Sequence, residues 1–309
     1  MEENNSSNLI EHVVASDSQM DEVISTIQSW FTINNREFFF NYKSYDAIPT
    51  GLYSMIFTET NGFGLSVMDY KSEEIFILPS LPHKKIIRDL QDFWDNKHKF
   101  IEYNLTPKRG LILYGDPGVG KTSMIYLIIE EIKRRNGISI YFDVPQNWVS
   151  VAKMIRKIEP DRPILCIIED IDLVIAKFGE EIFLNFLDGL NAIDNVVYVA
   201  TTNNLNNIPE RIKDRPSRFD KKYEVKKPTE DDRRLYFESK LNESDKTKYS
   251  LEQLVKDTKN FTMAHLKEVF ISLYILNNPY DDVLKRLKNK KIVENGFGFN
   301  TELEDNEKY

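Results

Sequence analysis

The chain has 309 residues, of which 41% are hydrophobic and 29% charged, a balance that can bury a core and excludes a wholly disordered protein. Its formal net charge of -8 argues mildly against a protein that works on nucleic acid, and its one cysteine, Cys166, excludes a disulfide framework or a cysteine-based zinc site. No apolar run approaches the roughly 18 residues that cross a bilayer, so we expect a soluble, cytoplasmic protein of about two domains.

The first quarter of the chain predicts one helix and then several short strands. Apolar positions recur at helical spacing over residues 18–31. Aromatic or β-branched segments separated by turn residues follow at 37–42, 53–58, 63–70 and 74–78. We therefore predict a small β-rich domain with one helix over residues 1–81, serving recruitment or assembly.

After a predicted helix over 82–103, strands and helices alternate. Strands are predicted at 110–114, 138–144, 164–168, 195–201 and 223–225, with helices at 121–135, 149–158 and 181–190 between them. Strands that are apolar on both faces and alternate with helices indicate a parallel sheet covered on both sides. The predicted fold class is therefore α/β, with a parallel sheet over 82–228, a small all-helical region over 229–290 and an acidic tail over 291–309.

A phosphate-binding loop is the most specific motif. The pattern G-x-x-x-x-G-K-[ST] follows an apolar strand and opens a helix, which is the context that the motif requires. Its backbone N–H groups are expected to surround phosphate oxygens, Lys121 to reach the β- and γ-phosphates, and Thr122 to ligate Mg²⁺. The predicted nucleotide-binding residues are Gly115, Asp116, Pro117, Gly118, Val119, Gly120, Lys121, Thr122 and Ser123.

A second motif is the acidic end of the apolar strand 164–168. Carboxylates at the carboxyl end of a parallel strand lie where ligands bind in open α/β sheets. The apolar run ends at Ile168, so Glu169 takes the Mg²⁺-shell position and Asp170 the position that polarises the attacking water. This order is the reverse of the usual Asp-Glu, and the shorter Asp170 must sit closer or act through a shifted water.

These two motifs and the segments after them resemble the AAA+ ATPases, and within them the AAA family proper. The further segments are 183–190, the sensor-1 strand 196–203, the arginine-finger element 215–220, and the strand and helix start 223–233. The resemblance runs from about residue 82 to 287 and implies that the sheet over 82–228 is a P-loop NTPase core and that the helices over 229–290 form a lid on it. The Glu-Asp order and the Thr-Thr-Asn triplet 201–203 are similar to Bcs-type AAA proteins, known from mitochondrial inner-membrane translocases, although those carry a membrane span and this chain shows none.

The resemblance implies a Mg²⁺-dependent ATPase that forms a ring, usually a hexamer, with ATP at subunit interfaces. Asn203 would orient the attacking water or sense the γ-phosphate. Arg215 and Arg218 would enter the neighbouring subunit's site as arginine fingers. Met263 and Ala264 stand where the family often has Gly-Ala near the adenine, with simple lid packing as the alternative.

Two aromatic residues have alternative interpretations. Trp148 could belong to a pore loop that grips polypeptide, or it could be buried near the start of a helix. Phe178 could line a second pore loop, although core packing or plain exposure is favoured.

Three functions remain open at this stage. The first is an ATP-driven motor that remodels, unfolds or translocates a protein bound through the N-terminal region. The second is a DNA-transaction ATPase of the clamp- or helicase-loader kind, against which the acidic balance argues. The third is an assembly module with slow hydrolysis, which the Asp170 position keeps open.

Overall fold

The computed structural model describes residues 29–32, 38–41, 46–58, 62–70, 76–188, 193–214, 218–219, 221–242, 245 and 248–293. The chain divides into two compact units, residues 1–48 and 49–309. In the first unit, β1 (Ser29–Thr32) pairs antiparallel with β2 (Phe38–Asn41). The predicted helix over 18–31 is wrong at its end, because residues 29–31 lie in β1. Aromatic and β-branched residues there favour a strand. Residues 18–28 lie outside the described residues.

A seven-stranded sheet organises the second unit, with the strand order β4-β3-β6-β7-β8-β5-β9. Its hairpin strands β3 and β4 are antiparallel, and every other neighbouring pair is parallel. The predicted α/β class with a mostly parallel sheet is therefore confirmed. The strands are β3 (Leu52–Thr58), β4 (Gly62–Val67), β5 (Lys108–Tyr114), β6 (Ile138–Tyr141), β7 (Ile164–Ile168), β8 (Val196–Thr202) and β9 (Lys221–Glu224).

The helices alternate with these strands and then form a cluster of their own. They are α1 (His83–Asp95), α2 (Lys97–Glu102), α3 (Lys121–Arg134), α4 (Pro145–Ile158), α5 (Ile171–Phe178), α6 (Glu180–Asp188), α7 (Glu210–Lys213), α8 (Glu230–Lys240), α9 (Leu251–Asp257), α10 (Met263–Phe270) and α11 (Tyr280–Val293). A 3₁₀ turn covers Leu205–Asn207, and a π-helical turn covers Ile271–Ile275.

The predicted helix over 82–103 is in fact two helices that meet at Asn96. The Asn96 side chain donates a hydrogen bond of 2.8 Å from Nδ2 to the Asp92 carbonyl oxygen. Such a side chain competes with the backbone for helical acceptors, and asparagine is accordingly disfavoured inside helices. The apolar periodicity continues through the break, which is why the sequence pattern did not reveal it.

The sheet extends past the predicted domain boundary at residue 82. Strand β3 pairs in parallel with β6, with Leu52 opposite Ser139, and both Leu52 and Tyr53 are buried. Residues 49–70 therefore share a compact unit with the motor rather than with the first 48 residues. Of the predicted strand 74–78, only 76–78 are described, and they are not in a strand.

Central strands and the lid each have a buried core. All residues of β7 and β8 are buried, as expected for strands covered on both faces. The helices after residue 229 enclose a separate apolar cluster that includes Phe237, Phe261 and Leu273. Helix α8 opens that lid with a capping box, in which Thr229 Oγ1 accepts from the Asp232 backbone and Asp232 accepts from the Thr229 backbone.

Gly110 is a position at which a side chain is expected to destabilise the sheet strongly. A Cβ there would lie 2.7 Å from the carbonyl carbon of Arg218, which packs directly against β5. We expect Gly110→Ala to lower the free energy of unfolding by about 3 kcal/mol, because the segment before β9 would have to move away. In the matched variant Gly51→Ala, the nearest atom would lie 3.5 Å from the new Cβ, which is an ordinary contact. The stability of both variants would be measured by urea denaturation. An equal loss of stability in the two would contradict the close approach of Arg218 to Gly110.

Candidate functional site

Residues 115–120 form a loop between the carboxyl end of β5 and the first turn of α3. Gly118 and Gly120 have φ angles of 73° and 111°, in the left-handed region that favours glycine, and α3 begins directly after them at Lys121. The first N–H groups of a helix lack partners inside the helix and carry its positive end, so they favour an anion. The predicted phosphate loop thus has the strand–loop–helix geometry that its motif requires.

The Lys121 ammonium group joins this loop to the end of β8. Its Nζ donates to the carbonyl oxygens of Gly115 at 2.8 Å and Asp116 at 3.1 Å, and to Asn203 Oδ1 at 2.6 Å. Burial lowers the pKa of Lys121, while the charges of Asp170, Asp116 and Asp172 oppose that shift. Two residues that are distant in sequence, Lys121 and Asn203, therefore meet at one point.

Thr122 and Glu169 also meet at this point. Thr122 Oγ1 donates to Glu169 Oε1 at 3.4 Å across the gap between α3 and β7. Burial raises the pKa of Glu169, the hydrogen bond from Thr122 opposes the rise, and the charge of Asp170 adds to it. A nearby cation would stabilise this carboxylate.

This donor set fits Mg²⁺ bound with nucleotide. Mg²⁺ prefers oxygen ligands and is commonly held by one or two carboxylates together with substrate phosphates and water. A carboxylate and a hydroxyl, from Glu169 and Thr122, supply such oxygens beside the phosphate loop. Within the described ranges no group of three or more His, Cys, Asp or Glu side chains could hold a metal ion, so a metal here would need ligands from nucleotide or water.

Asp170 begins α5 in an unusual backbone conformation. Its φ and ψ are 45° and 55°, and its carbonyl oxygen accepts from the backbone N–H groups of Leu173 and Val174. An aspartate at this position commonly caps its own helix, but the Asp170 side chain makes no capping hydrogen bond to α5. The carboxylate is therefore not used in starting the helix.

A cavity of about 720 Å³ lies between the phosphate loop and the lid. Its lining combines residues 118–123 with apolar and aromatic side chains, including Leu81, Tyr126, Met263 and Ala264. The Ala264 backbone N–H donates to the Gly118 carbonyl oxygen at 3.0 Å, so α10 is joined directly to the loop. Apolar walls beside a phosphate-binding loop suit a nucleoside, which presents an aromatic base next to its charged phosphates.

The structure describes only one of the two predicted arginine fingers. Arg215 lies outside the described residues. Arg218 is 5% exposed, and its Nη1 donates to the carbonyl oxygen of Arg211. In the single chain the Arg218 guanidinium therefore lies inside the protein, and a role in a neighbouring site would require it to leave this carbonyl.

Trp148 is not in a pore loop. It lies in the first turn of α4, is fully buried and packs against Tyr198, with ring centroids 6.0 Å apart. The alternative of a buried residue near a helix start is therefore correct, because the helix begins at Pro145 rather than at residue 149. Phe178 is half-buried at the end of α5, with the Lys177 ammonium 5.0 Å from its ring centre.

Sequence reasoning missed a layer of contacts around the site. Thr201 Oγ1 accepts from the Asp170 backbone, and Thr202 Oγ1 donates to Asp172 Oδ1 at 2.9 Å. Lys227 pairs with Asp116 of the phosphate loop at 2.5 Å. The available signal was the pair of hydroxyl residues at the end of an otherwise apolar strand.

Comparison with known proteins gives a family for this part of the chain. Residues 111–227 match the family model described as "ATPase family associated with various cellular activities (AAA)". That range contains the phosphate loop, Glu169, Asp170 and Asn203. Residues 111–227 therefore match an AAA ATPase domain, which confirms the predicted AAA+ resemblance for this part of the chain.

Individual relatives are similar over part of their length. The chain is 30% identical over 158 residues to "ATPase family gene 2 protein" of Schizosaccharomyces pombe, covering 45% of this chain and 19% of that protein. It is 26% identical over 215 residues to "ATP-dependent zinc metalloprotease FtsH" of Ureaplasma parvum, covering 63% and 29%. It is 29% identical over 233 residues to "Proteasome-activating nucleotidase" of Saccharolobus solfataricus, covering 65% and 58%.

The chain thus spans from 19% to 58% of the length of these relatives. Across the described part of the chain, no helix is long and apolar enough to cross a membrane.

Proposed function

We propose that the chain is a Mg²⁺-dependent ATPase that assembles into a ring and uses hydrolysis to remodel, unfold or translocate a protein substrate. The observation that carries the proposal is the meeting of Lys121, Thr122, Glu169 and Asn203 at the mouth of the phosphate loop. These residues come from three separate segments, and their types are those needed to bind and hydrolyse a nucleoside triphosphate.

We assign each of these residues a role from its position in the site. Residues 115–123 bind the phosphates through backbone N–H groups and the Lys121 ammonium, which exchanges its contacts with protein oxygens for contacts with phosphate oxygens. Thr122 would ligate Mg²⁺ and Glu169 would hold it through water, and the bound ion would neutralise phosphate charge. Asp170 accepts a proton from the attacking water, and Asn203 orients that water.

The ring completes the site with arginines from a neighbouring subunit. Arg215 and Arg218 are proposed to neutralise charge that develops on the phosphoryl group in the transition state. An arginine supplied in trans is worth about 10³–10⁵ in rate, so an isolated subunit is expected to turn over very slowly. A hexamer is the proposed stoichiometry, because the resemblance to the AAA family implies it.

A protein is the favoured substrate class. Two of the similar proteins are named for ATP-dependent proteolysis and for activation of the proteasome. The acidic net charge of -8 also disfavours a DNA substrate. Within the predicted recruiting region 1–81, residues 1–48 form a unit of their own and are the part now proposed to recruit the substrate, because residues 49–70 share the unit of the sheet. The closer similarity to Bcs-type proteins stays a prediction from the Glu-Asp order and the Thr-Thr-Asn triplet.

Replacing Lys121 tests the nucleotide site directly. We expect Lys121→Ala to reduce ATP hydrolysis by at least about 10²-fold, because the preorganised positive donor at the phosphates is lost. Hydrolysis would be measured as phosphate release with Mg²⁺ present and absent. Lys226→Ala is the matched control, because Lys226 is 74% exposed and pairs only with the surface residue Glu224 among the ion pairs of the described residues.

Equal activity in Lys121→Ala and the parent would contradict the proposed ATPase site. Tight DNA binding by the parent, with an affinity that falls steeply as salt rises, would instead favour the DNA-transaction alternative.

A further inference from the structure

Thr201 stands at the end of β8, beside the start of the loop that carries Asp170. It is 3% exposed, and its Oγ1 accepts a hydrogen bond of 3.0 Å from the Asp170 backbone N–H. Thr201 is not one of the residues that line the cavity between the phosphate loop and the lid. Any effect of its hydroxyl on chemistry must therefore pass through another residue.

The backbone of Asp170 lies just beyond the end of the strand ladder. The last registered pair between β7 and β8 is Ile168 with Ala200, so the N–H of Asp170 has passed the last point at which strand pairing could engage it. Thr201, one residue past that pair, supplies the acceptor. This hydrogen bond is partly buried, and its formation favours the observed position of the chain.

The conformation of Asp170 makes this contact more consequential. A residue other than glycine with a φ of 45° is held in a sparsely populated region, and such a conformation persists when its surroundings determine it. The Asp170 carbonyl oxygen is engaged by the first turn of α5 on one side, and its N–H is engaged by Thr201 on the other. Both backbone hydrogen-bonding groups of Asp170 are therefore engaged, while its side chain makes no capping bond to the helix.

We propose that Thr201 is a positioning residue that sets the direction of the Asp170 carboxylate toward the attacking water. The inference rests on the proposed function, in which Asp170 is the proton acceptor. Aspartate is one methylene shorter than glutamate, so its reach depends more strongly on where the backbone places it. A hydroxyl that fixes the backbone of this residue is a direct way to control that reach.

The test compares Thr201→Val with Thr201→Ser in the full chain. Valine keeps the shape and removes the acceptor, whereas serine keeps the hydroxyl. We expect Thr201→Val to lower kcat by about 10- to 100-fold with KM for ATP within about twofold of the parent, because a small misplacement of a reacting group has this effect. Thr201→Ser is expected to recover most of kcat.

A control removes a different buried hydroxyl. Ser139 lies on β6, is fully buried, and its Oγ has no hydrogen-bond partner among the described residues. Ser139→Ala should leave both kcat and KM unchanged. Equal loss of kcat in Thr201→Val and Thr201→Ser would indicate a packing effect and overturn the inference, as would a Thr201→Val enzyme within twofold of the parent.

A measurement that does not depend on turnover separates this inference from the proposed function. Hydrogen exchange at the Asp170 amide, followed in the parent and in Thr201→Val, is expected to be faster in the variant because the acceptor is gone. A parent that binds ATP without hydrolysing it would overturn the proposed function, and faster exchange would then still support the hold of Thr201 on Asp170. Unchanged exchange would overturn the inference whatever the activity.

Discussion

Mixing Lys121→Ala subunits with Arg215→Ala subunits is expected to restore ATP hydrolysis that each population lacks alone. Each interface of the proposed ring needs a nucleotide site from one subunit and an arginine from its neighbour. A mixed ring contains interfaces in which an intact Lys121 meets an intact Arg215, and only those interfaces are complete. Loss of a trans arginine lowers the rate about 10³–10⁵-fold. The recovered activity should therefore be easy to measure above that of either variant alone.

Arg215 is the better residue for this experiment than Arg218. Arg218 is buried and bonds to the Arg211 carbonyl, so its replacement is expected to reduce stability as well as activity. Arg134→Ala is the matched control, because Arg134 is 73% exposed at the end of α3. Absence of recovery at every mixing ratio, in rings of confirmed mixed composition, would count against an arginine supplied in trans.

Asp170→Asn is expected to lower kcat by about 10²–10⁴-fold while ATP binding is retained. An amide of the same size cannot accept the proton from water, and a positioned general base contributes about this factor. Since Asp170 makes no side-chain cap to α5, the substitution should leave that helix in place. Binding of ATP, measured by calorimetry, separates the loss of chemistry from the loss of the site.

Two comparisons make this prediction specific. Asp161→Asn changes an aspartate whose side chain is 95% exposed and should leave the rate unchanged. Glu169→Gln removes the proposed Mg²⁺ ligand, so its loss of activity should be partly recovered at high Mg²⁺, whereas that of Asp170→Asn should not. If Asp170→Asn keeps the parent rate and Glu169→Gln remains inactive at all Mg²⁺ concentrations, the two roles are reversed.

Local sequence patterns were sufficient to predict strand β7 and the phosphate loop. Strand β7 was predicted with the observed limits because five consecutive apolar residues between polar ones leave little choice of register. The phosphate loop was predictable because its glycines, its lysine and its hydroxyl residue stand within eight residues of one another. In both cases, the physical determinants are close together in sequence.

Other features depend on contacts between residues that are far apart in sequence, and local patterns could not predict them. Whether β3 joins β6 depends on a pairing between Leu52 and Ser139, and no local pattern encodes that pairing. The burial of Trp148 against Tyr198 likewise depends on two elements meeting. Around the site, the contact of Thr201 with Asp170 depends on the register between the adjacent strands β7 and β8, which only the folded sheet determines.

The hydrogen bond from the Ala264 N–H to the Gly118 carbonyl has a mechanical consequence. A lid that turns relative to the sheet either pulls Gly118 with it or breaks this bond. The angle of the lid and the shape of the phosphate loop are therefore not independent coordinates of the molecule. Strain that nucleotide produces in the loop would reach α10 directly through this hydrogen bond, without having to travel along the chain.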